Sequence, residues 1–202
     1  MITIIANPNH PKLGAEIAVE PIRSKKAITA IKSKLWQKKN KRDWCLFVLG
    51  INTAFRANEL LSIKVAQVEN AIVGSQLKVK QTKVNKYRTV TLNQNAIESI
   101  SVLLEQEQFE DEEDYLFRGQ RGVISVPTLS RYVKSWCTAI PSLKGNYASH
   151  TLRKTWGYWH YQNSTPLPIL MRAFGHSTQE QTLHYLCIQP QEIQNVYLDV
   201  EL

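Results

Sequence analysis

Residues 149–186 read SHTLRKTWGYWHYQNSTPLPILMRAFGHSTQEQTLHYL, and the fold turns on how this stretch divides. Ser149 suits a helix cap, so a helix is expected from there to about residue 163, with His150 in its first turn and Arg153 one turn on. Positions three apart share a helix face, which lets both side chains reach one site. Pro166 is suited to start a second helix, whose Leu167, Leu170, Met171 and Phe174 are apolar at helical spacing, and Gly175 supplies its stop. A short third helix over residues 181–186 carries Tyr185, nine residues beyond His176. Basic and hydrogen-bonding side chains followed by a hydroxyl nucleophile are what phosphoryl transfer on a phosphodiester needs.

Upstream, residues 1–23 contain three prolines and mixed polarity and read as an N-terminal leader or arm. From Ser24 the spacing of Ile28, Ile31 and Leu35 predicts an amphipathic helix. The near-continuous apolar run over residues 44–55 predicts a helix buried on most sides, and residues 56–62 add another turn with Arg56 and Glu59 on one face. Leu77, Val79, Val90 and Leu92 then alternate with polar residues as half-buried strands do, around the basic turn QTKVNKYR. This predicts a β-hairpin, with a third short strand near Ile72. Asn93 caps the next helix, the acidic run 105–114 ends it, and Pro127 starts a helix carrying Leu129, Val133 and Trp136. The expected class is mainly α with a small antiparallel hairpin: one domain over residues 24–188, followed by a tail over 189–202.

The 202 residues suffice for one substantial core, and a formal charge of +8 favours a polyanionic partner. Lys25, Lys26, Lys38, Lys39, Lys41 and Arg42 crowd one early segment and are candidates for DNA phosphate contact, whereas the acidic run reads as a solvated face. Cys45, Cys137 and Cys187 are odd in number and far apart, which suits reduced thiols rather than a disulfide framework. No cysteine or histidine spacing asks for zinc, so no metal and no cofactor are expected. The longest apolar run, residues 44–49, is too short for a bilayer, and a cytoplasmic location is expected.

Cleaving a phosphodiester requires a nucleophile, cations on the non-bridging oxygens and an acid for the leaving oxygen. Tyrosine qualifies as the nucleophile, but a pKa of about 10 means that a base or a positive field must help remove its proton. Arg56 and Arg153 have the planar fork that matches phosphate, Lys83 at the hairpin tip could protonate a leaving group, and His150 and His176 could move protons or donate hydrogen bonds. Taken singly each has a plainer reading. Arg56 pairs with Glu59, Tyr185 is a partly buried aromatic, Lys83 is one of several hairpin lysines, and the histidines sit at helix ends.

The conjunction is more specific. TAFRANELLSIKVAQV (residues 53–68) resembles the first arginine box of the tyrosine recombinases, the phage integrase family. SHTLRKTW resembles that family's His-x-x-Arg box, and AFGHSTQEQTLHYL resembles its Leu-Gly-His box with the tyrosine nine residues beyond the histidine. The match runs over about residues 25–198. It implies Arg56 and Arg153 as phosphate clamp, Lys83 as leaving-group acid, His150 as base, His176 as phosphate donor, Tyr185 as the group that forms a 3′-phosphotyrosyl link, and Glu59 in support. The family's usual Lys-Thr-Gly-Lys-like turn is replaced by Thr82-Lys83-Val84-Asn85-Lys86, which leaves Lys86 as the other candidate acid and a DNA contact. Trp156 and Trp159 read as core aromatics.

By the same resemblance the partner is double-stranded DNA, bound by a chain that is monomeric in solution and tetrameric on DNA, with its tail packed either on a neighbour or on its own domain and with accessory DNA-bending proteins in some settings. The family's helical core-binding domain has no counterpart in residues 1–23, which suits a short single-domain member, a fragment or a decayed copy. Three functional readings follow: a metal-free site-specific recombinase, a catalytically silent DNA-binding regulator or relic, and a type IB topoisomerase.

Overall fold

The computed structural model describes residues 18–81, 86–120 and 122–188. The Ser24 side chain accepts a hydrogen bond from the Ala27 amide and opens α1 (Lys25–Trp36), which buries Ala27, Ile31 and Leu35. The apolar run forms α2 (Arg42–Thr53), with every residue from Trp44 to Gly50 buried. A helix so uniformly apolar belongs at the centre, and α2 packs against α1, α4 (Gln94–Gln106) and α6 (Ser149–Gln162). Ala54 ends it in the left-handed region (φ 55°), which costs a residue with a Cβ roughly 1 kcal/mol. That turn redirects the chain into α3 (Ala57–Leu61), for which Arg56 is the N-cap.

A single 3₁₀ turn over Val65–Gln67 leads to the hairpin of β1 (Gln76–Gln81) and β2 (Lys86–Thr91). Its register pairs Leu77 with Val90 and Val79 with Arg88. The expected third strand near Ile72 does not form. Ile72 is 71 % exposed, and its amide bonds to the Ser75 side chain in a turn that Gly74 tightens toward Leu92. An exposed position gains nothing from strand pairing, so the short apolar signal misleads there. A two-residue pair, β3 (Arg118–Gly119) with β4 (Gly122–Val123), precedes α5 (Val126–Thr138), capped by Ser125.

The decisive stretch forms α6, α7 (Leu167–Phe174) and α8 (Gln179–Leu186), as its periodicity predicts. Ser149, however, is not the cap of α6. Ala148 holds that position, and its amide donates to the Thr151 hydroxyl at 3.1 Å, while Ser149 is buried and bonds Ser130 of α5. A buried serine bridging two helices serves packing better than an exposed cap would. Gly175 stops α7 in the left-handed region (φ 69°), as expected.

Of the expected leader, residues 1–17 lie outside the described residues; the rest is tied down. The Glu20 amide bonds Asn146 O, the Ile22 amide bonds the Thr155 hydroxyl, and Trp159 Nε1 donates to Ile22 O at 3.0 Å. The main core extends from Ile22 to Leu152. A smaller apolar cluster of Ala54, Leu170, Phe174 and Leu186, with Trp156, Tyr161, Tyr185 and Ile188 against it, joins α6, α7 and α8 and underlies the site. The tail 189–202 and the hairpin tip 82–85 fall outside the described residues. No helix among those described is long and apolar enough to cross a membrane.

Candidate active site

The site begins with one carboxylate. Glu59 is 3 % exposed, and its oxygens accept from the Arg56 amide (2.7 Å), from Arg56 Nη1 (3.1 Å) and from Arg88 Nε (3.3 Å). A buried carboxylate needs this many donors, because desolvation otherwise costs several kcal/mol. The contacts lock the α2–α3 turn and leave the Arg56 side chain 45 % exposed, with its far nitrogen 3.4 Å from Phe174 O.

Arg153 approaches from α6 and is 2 % exposed. It donates to Ala54 O and, at 2.8 Å, to Phe174 O, and its guanidinium lies 4.8 Å from the centre of the Phe174 ring. Arg88 donates to Ala173 O. The last carbonyls of α7 therefore receive three arginines, where the negative end of the helix dipole favours cations. Burial first, with Arg88 and Arg56 adding to it against Tyr185 and Glu59, brings the Arg153 pKa down to about 10. Arg88 is lowered by burial, opposed by Glu59 and reinforced by Arg56. Against one buried carboxylate, three guanidiniums leave a surplus of two positive charges.

Tyr185 projects from α8 into this field. Its ring meets Phe174 edge-on at 5.1 Å and His176 at 5.1 Å, and Lys154 Nζ lies 4.8 Å from its centre. Burial raises the phenol pKa, opposed by the charge and hydrogen bond of Arg153 and the charge of Arg56. The phenol is thus protonated at neutral pH. His150 Nδ1 stands 3.5 Å from Tyr185 Oη, at the outer limit of hydrogen-bond reach, where a small closure would make it a proton acceptor. Desolvation, then Arg153, Lys154 and Arg56, lower the His150 pKa and keep it in its neutral, basic form.

His176 is held differently. Its Nδ1 lies 3.1 Å from the hydroxyl of Thr182, a fully buried residue whose single proton goes to Thr178 O at 3.3 Å. With the proton so placed, the hydroxyl accepts from Nδ1–H, and in that tautomer Nε2 of the neutral ring carries no proton. In that tautomer His176 becomes a donor at Nε2 as imidazolium. Burial and then Arg153, Arg56 and Arg88 lower its pKa, and a phosphate among these groups would reverse that effect.

Of the expected residues, Arg56, Glu59, His150, Arg153, His176 and Tyr185 converge. Lys83 lies outside the described residues, as does the side chain of Lys86. The basic segment divides. Lys25, Lys26, Lys38 and Lys39 are exposed, Lys25 over the Trp159 ring (4.9 Å) and Lys38 facing Asp43 (3.5 Å), whereas Lys41, which bonds Trp36 O and Lys38 O, and Arg42, which bonds Asp43 and Arg118 O, are half-buried. Trp156 packs edge-on against Phe174 at 5.6 Å, so both tryptophans take the structural place expected of them.

Arg88, Lys154 and Thr182 were not singled out from the sequence. Arg88 carries a legible signal: it is two residues before Val90, so strand alternation turns it toward the core. Among the described residues no group of three or more His, Cys, Asp or Glu could hold a metal ion.

The chain is 32 % identical over 185 residues to Probable integrase/recombinase YoeC of Bacillus subtilis (strain 168), covering 89 % of this chain and 95 % of that one. The XerA recombinase structure superposes with a TM-score of 0.73 at 16 % identity, over 93 % of this chain and 66 % of XerA. The XerH site-specific recombinase, bound to palindromic difH substrate in a post-cleavage complex, gives 0.70 at 21 % identity, over 90 % of this chain and 53 % of XerH. The chain thus spans about two thirds and about half of those two chains, and at these identities the likeness is one of fold. With the sequence model of the phage integrase family matching residues 22–192, the chain belongs to the phage integrase family, the tyrosine recombinases.

Proposed function

We propose that this protein cuts and rejoins double-stranded DNA at a specific site through a covalent tyrosyl intermediate. The observation that carries the reading is the placement of the Tyr185 hydroxyl beside His150, within a cluster of three arginines, two of which share one carboxylate. His150 takes the phenolic proton and Tyr185 Oη attacks phosphorus. The bond from phosphorus to the 5′ oxygen breaks, that oxygen is protonated, and a 3′-phosphotyrosyl ester remains. In the second half, a 5′-hydroxyl from another strand attacks the ester and returns the tyrosine. The number of phosphodiester bonds is conserved, so the exchange needs no external energy source.

The charge balance supports this order of events. A phosphodiester brings one negative charge, and a pentacoordinate phosphorane formed with a phenolate carries two. The arginines exceed Glu59 by two charges and Lys154 beside the Tyr185 ring adds a third, so the site favours the doubly charged phosphorane over the singly charged diester, which is differential stabilisation of the transition state. Arg56, the more exposed guanidinium, and the buried Arg153 hold the non-bridging oxygens. His176 donates from Nε2 once the phosphate has raised its pKa. Lys83, with Lys86 as the alternative, protonates the leaving oxygen. The exposed lysines of the early segment contact backbone phosphates. A tetramer on DNA, formed from monomers, pairs the two cut strands, and accessory bending proteins serve where the site must be folded.

A selection from random sequence tests the reading and finds the cognate site at the same time. The full chain is incubated with a pool of randomised duplexes nicked so that a cleaved fragment diffuses away, and DNA bound covalently to protein is recovered and sequenced. Wild-type protein is expected to enrich a motif and Tyr185→Phe to yield no adduct. DNA binding without adduct from wild-type, alongside an active control recombinase, would sink the enzymatic reading and leave a binding module. Adducts without any sequence preference, together with plasmid relaxation, would point to a topoisomerase.

A further inference from the structure

Arg88 is the one arginine of the cluster that comes from the hairpin. It sits on β2 opposite Val79, with its side chain 12 % exposed, and its guanidinium spans two elements, Glu59 of α3 and the terminal carbonyl of Ala173 in α7. The apolar face of the hairpin, Leu77 and Val79, packs into the main core, but beside Arg88 the seam between β2 and α7 is open. A cavity of about 500 Å³ opens between Tyr87, Arg88, Ile169 and Arg172, and another of about 380 Å³ between Arg88, Thr91, Trp156 and His160. With open space on both flanks, the guanidinium is the bridge from β2 to α7.

We infer that Arg88 is a positioning residue, a latch that fixes the hairpin against α3 and α7 and so sets where the hairpin lysine meets the leaving oxygen. This rests on the strand-transfer reading above. Two of the Arg88 nitrogens, Nε and Nη1, are held by Glu59 and Ala173 O, so its first role is to tie the strand down. Phosphate contact at the solvent side falls to Arg56, whose side chain is far more exposed. The latch also explains why Glu59 is buried between two arginines. One of its partners fixes the α2–α3 turn and the other fixes β2, so a single carboxylate holds the clamp arginine and the hairpin strand in one frame. A lysine at position 88 would keep the charge but lose the fork that reaches both partners.

Two measurements on the full chain test this, using wild-type, Arg88→Lys and Arg88→Met. The first is amide hydrogen exchange. Arg88→Met is expected to speed exchange of β1 and β2 by roughly tenfold or more while α2 and α6 keep their protection. The second is single-turnover cleavage of two nicked duplexes, one with the natural 5′ oxygen and one with sulfur in its place. A sulfur leaving group departs without protonation. On oxygen, Arg88→Met is expected to lose roughly a hundredfold in rate at unchanged DNA affinity, within the range of a general acid; on sulfur most of that loss should vanish, as for Lys83→Ala. Arg88→Lys should fall between. An equal loss on both substrates would make Arg88 a clamp residue and overturn the inference, and so would unchanged hairpin exchange. If wild-type cleaves neither substrate, the strand-transfer reading fails by itself, and the exchange result alone upholds or overturns the latch.

Discussion

Gly157→Ala should damage the reaction far more than it damages the fold. Gly157 lies one turn beyond Arg153 on α6, facing α7 and α8. A Cβ there would come within 2.2 Å of Phe174 Cζ, 2.8 Å of Phe174 Cε2 and 2.7 Å of Leu186 Cδ2. Both neighbours are fully buried, so neither can swing into solvent. To restore ordinary contact the Phe174 ring must retreat by roughly 1 Å. Overpacking of this kind costs about 1–3 kcal/mol, offset by about 1 kcal/mol from replacing a helical glycine with alanine. The net loss is at most about 2 kcal/mol, a fall in Tm of roughly 4–8 °C. Phe174, however, offers its carbonyl to Arg56 and Arg153 and its ring to Tyr185. A displacement of about 1 Å in groups that align a reaction can cost roughly a hundredfold in rate. Thermal unfolding and single-turnover adduct formation, read on one preparation at a temperature where the variant is folded, separate the two effects. A variant that cleaves at the wild-type rate, or whose deficit only follows its unfolded fraction, would refute the claim that Phe174 aligns the site.

Glu59→Gln removes the carboxylate shared by Arg56 and Arg88. Because Arg56 is well solvated, the cost is set by Arg88 and should be about 2–3 kcal/mol in denaturant unfolding, with partial recovery in sulfate, which replaces the lost negative charge. The folded-state pKa values of His150, His160 and His176 are all depressed, so the unfolded chain takes up protons first as pH falls. Their contribution is intact above about pH 6.5 and is lost as pH drops from there through the folded values, which a series of unfolding curves in that window should show. DNA binding near pH 6.5 should take up a proton at His176. Calorimetry in buffers of different ionisation enthalpy detects it, and His176→Gln should abolish it, whereas an unchanged uptake would place the proton elsewhere.

How much of this was visible in the chain depends on which atoms do the work. The helices were readable because residue type marks their caps and stops, as at Ser24, Asn93 and Gly175. Arg56, His150, Arg153, His176 and Tyr185 were readable because motif spacing marks side chains. Backbone acceptors leave no such trace. Ala54, Ala173 and Phe174 contribute carbonyl oxygens, and an alanine in the left-handed region at residue 54 would not be expected from its type. Arg88 lay between these cases: the alternation that turns Val90 inward also turns Arg88 inward, but a charged residue in a basic hairpin reads first as solvated. Ile72 and Ser149 failed through burial, one because it is exposed where a strand was expected and the other because it is buried where a cap was expected.

Tyr185 meets His150, Phe174 and Lys154 of its own chain, on a helix that follows α7 with only a few residues between. On the proposed function, nucleophile and clamp are thus inherited together, in cis. A mixture of Tyr185→Phe and Arg153→Ala subunits should show no complementation at any ratio: one lacks the hydroxyl, the other lacks the guanidinium, and neither can lend its missing part across an interface. In a population that contains both defective forms, each such subunit would occupy a place on DNA without cutting, and a single allele of either kind would act as a dominant poison of whatever assembly it joined.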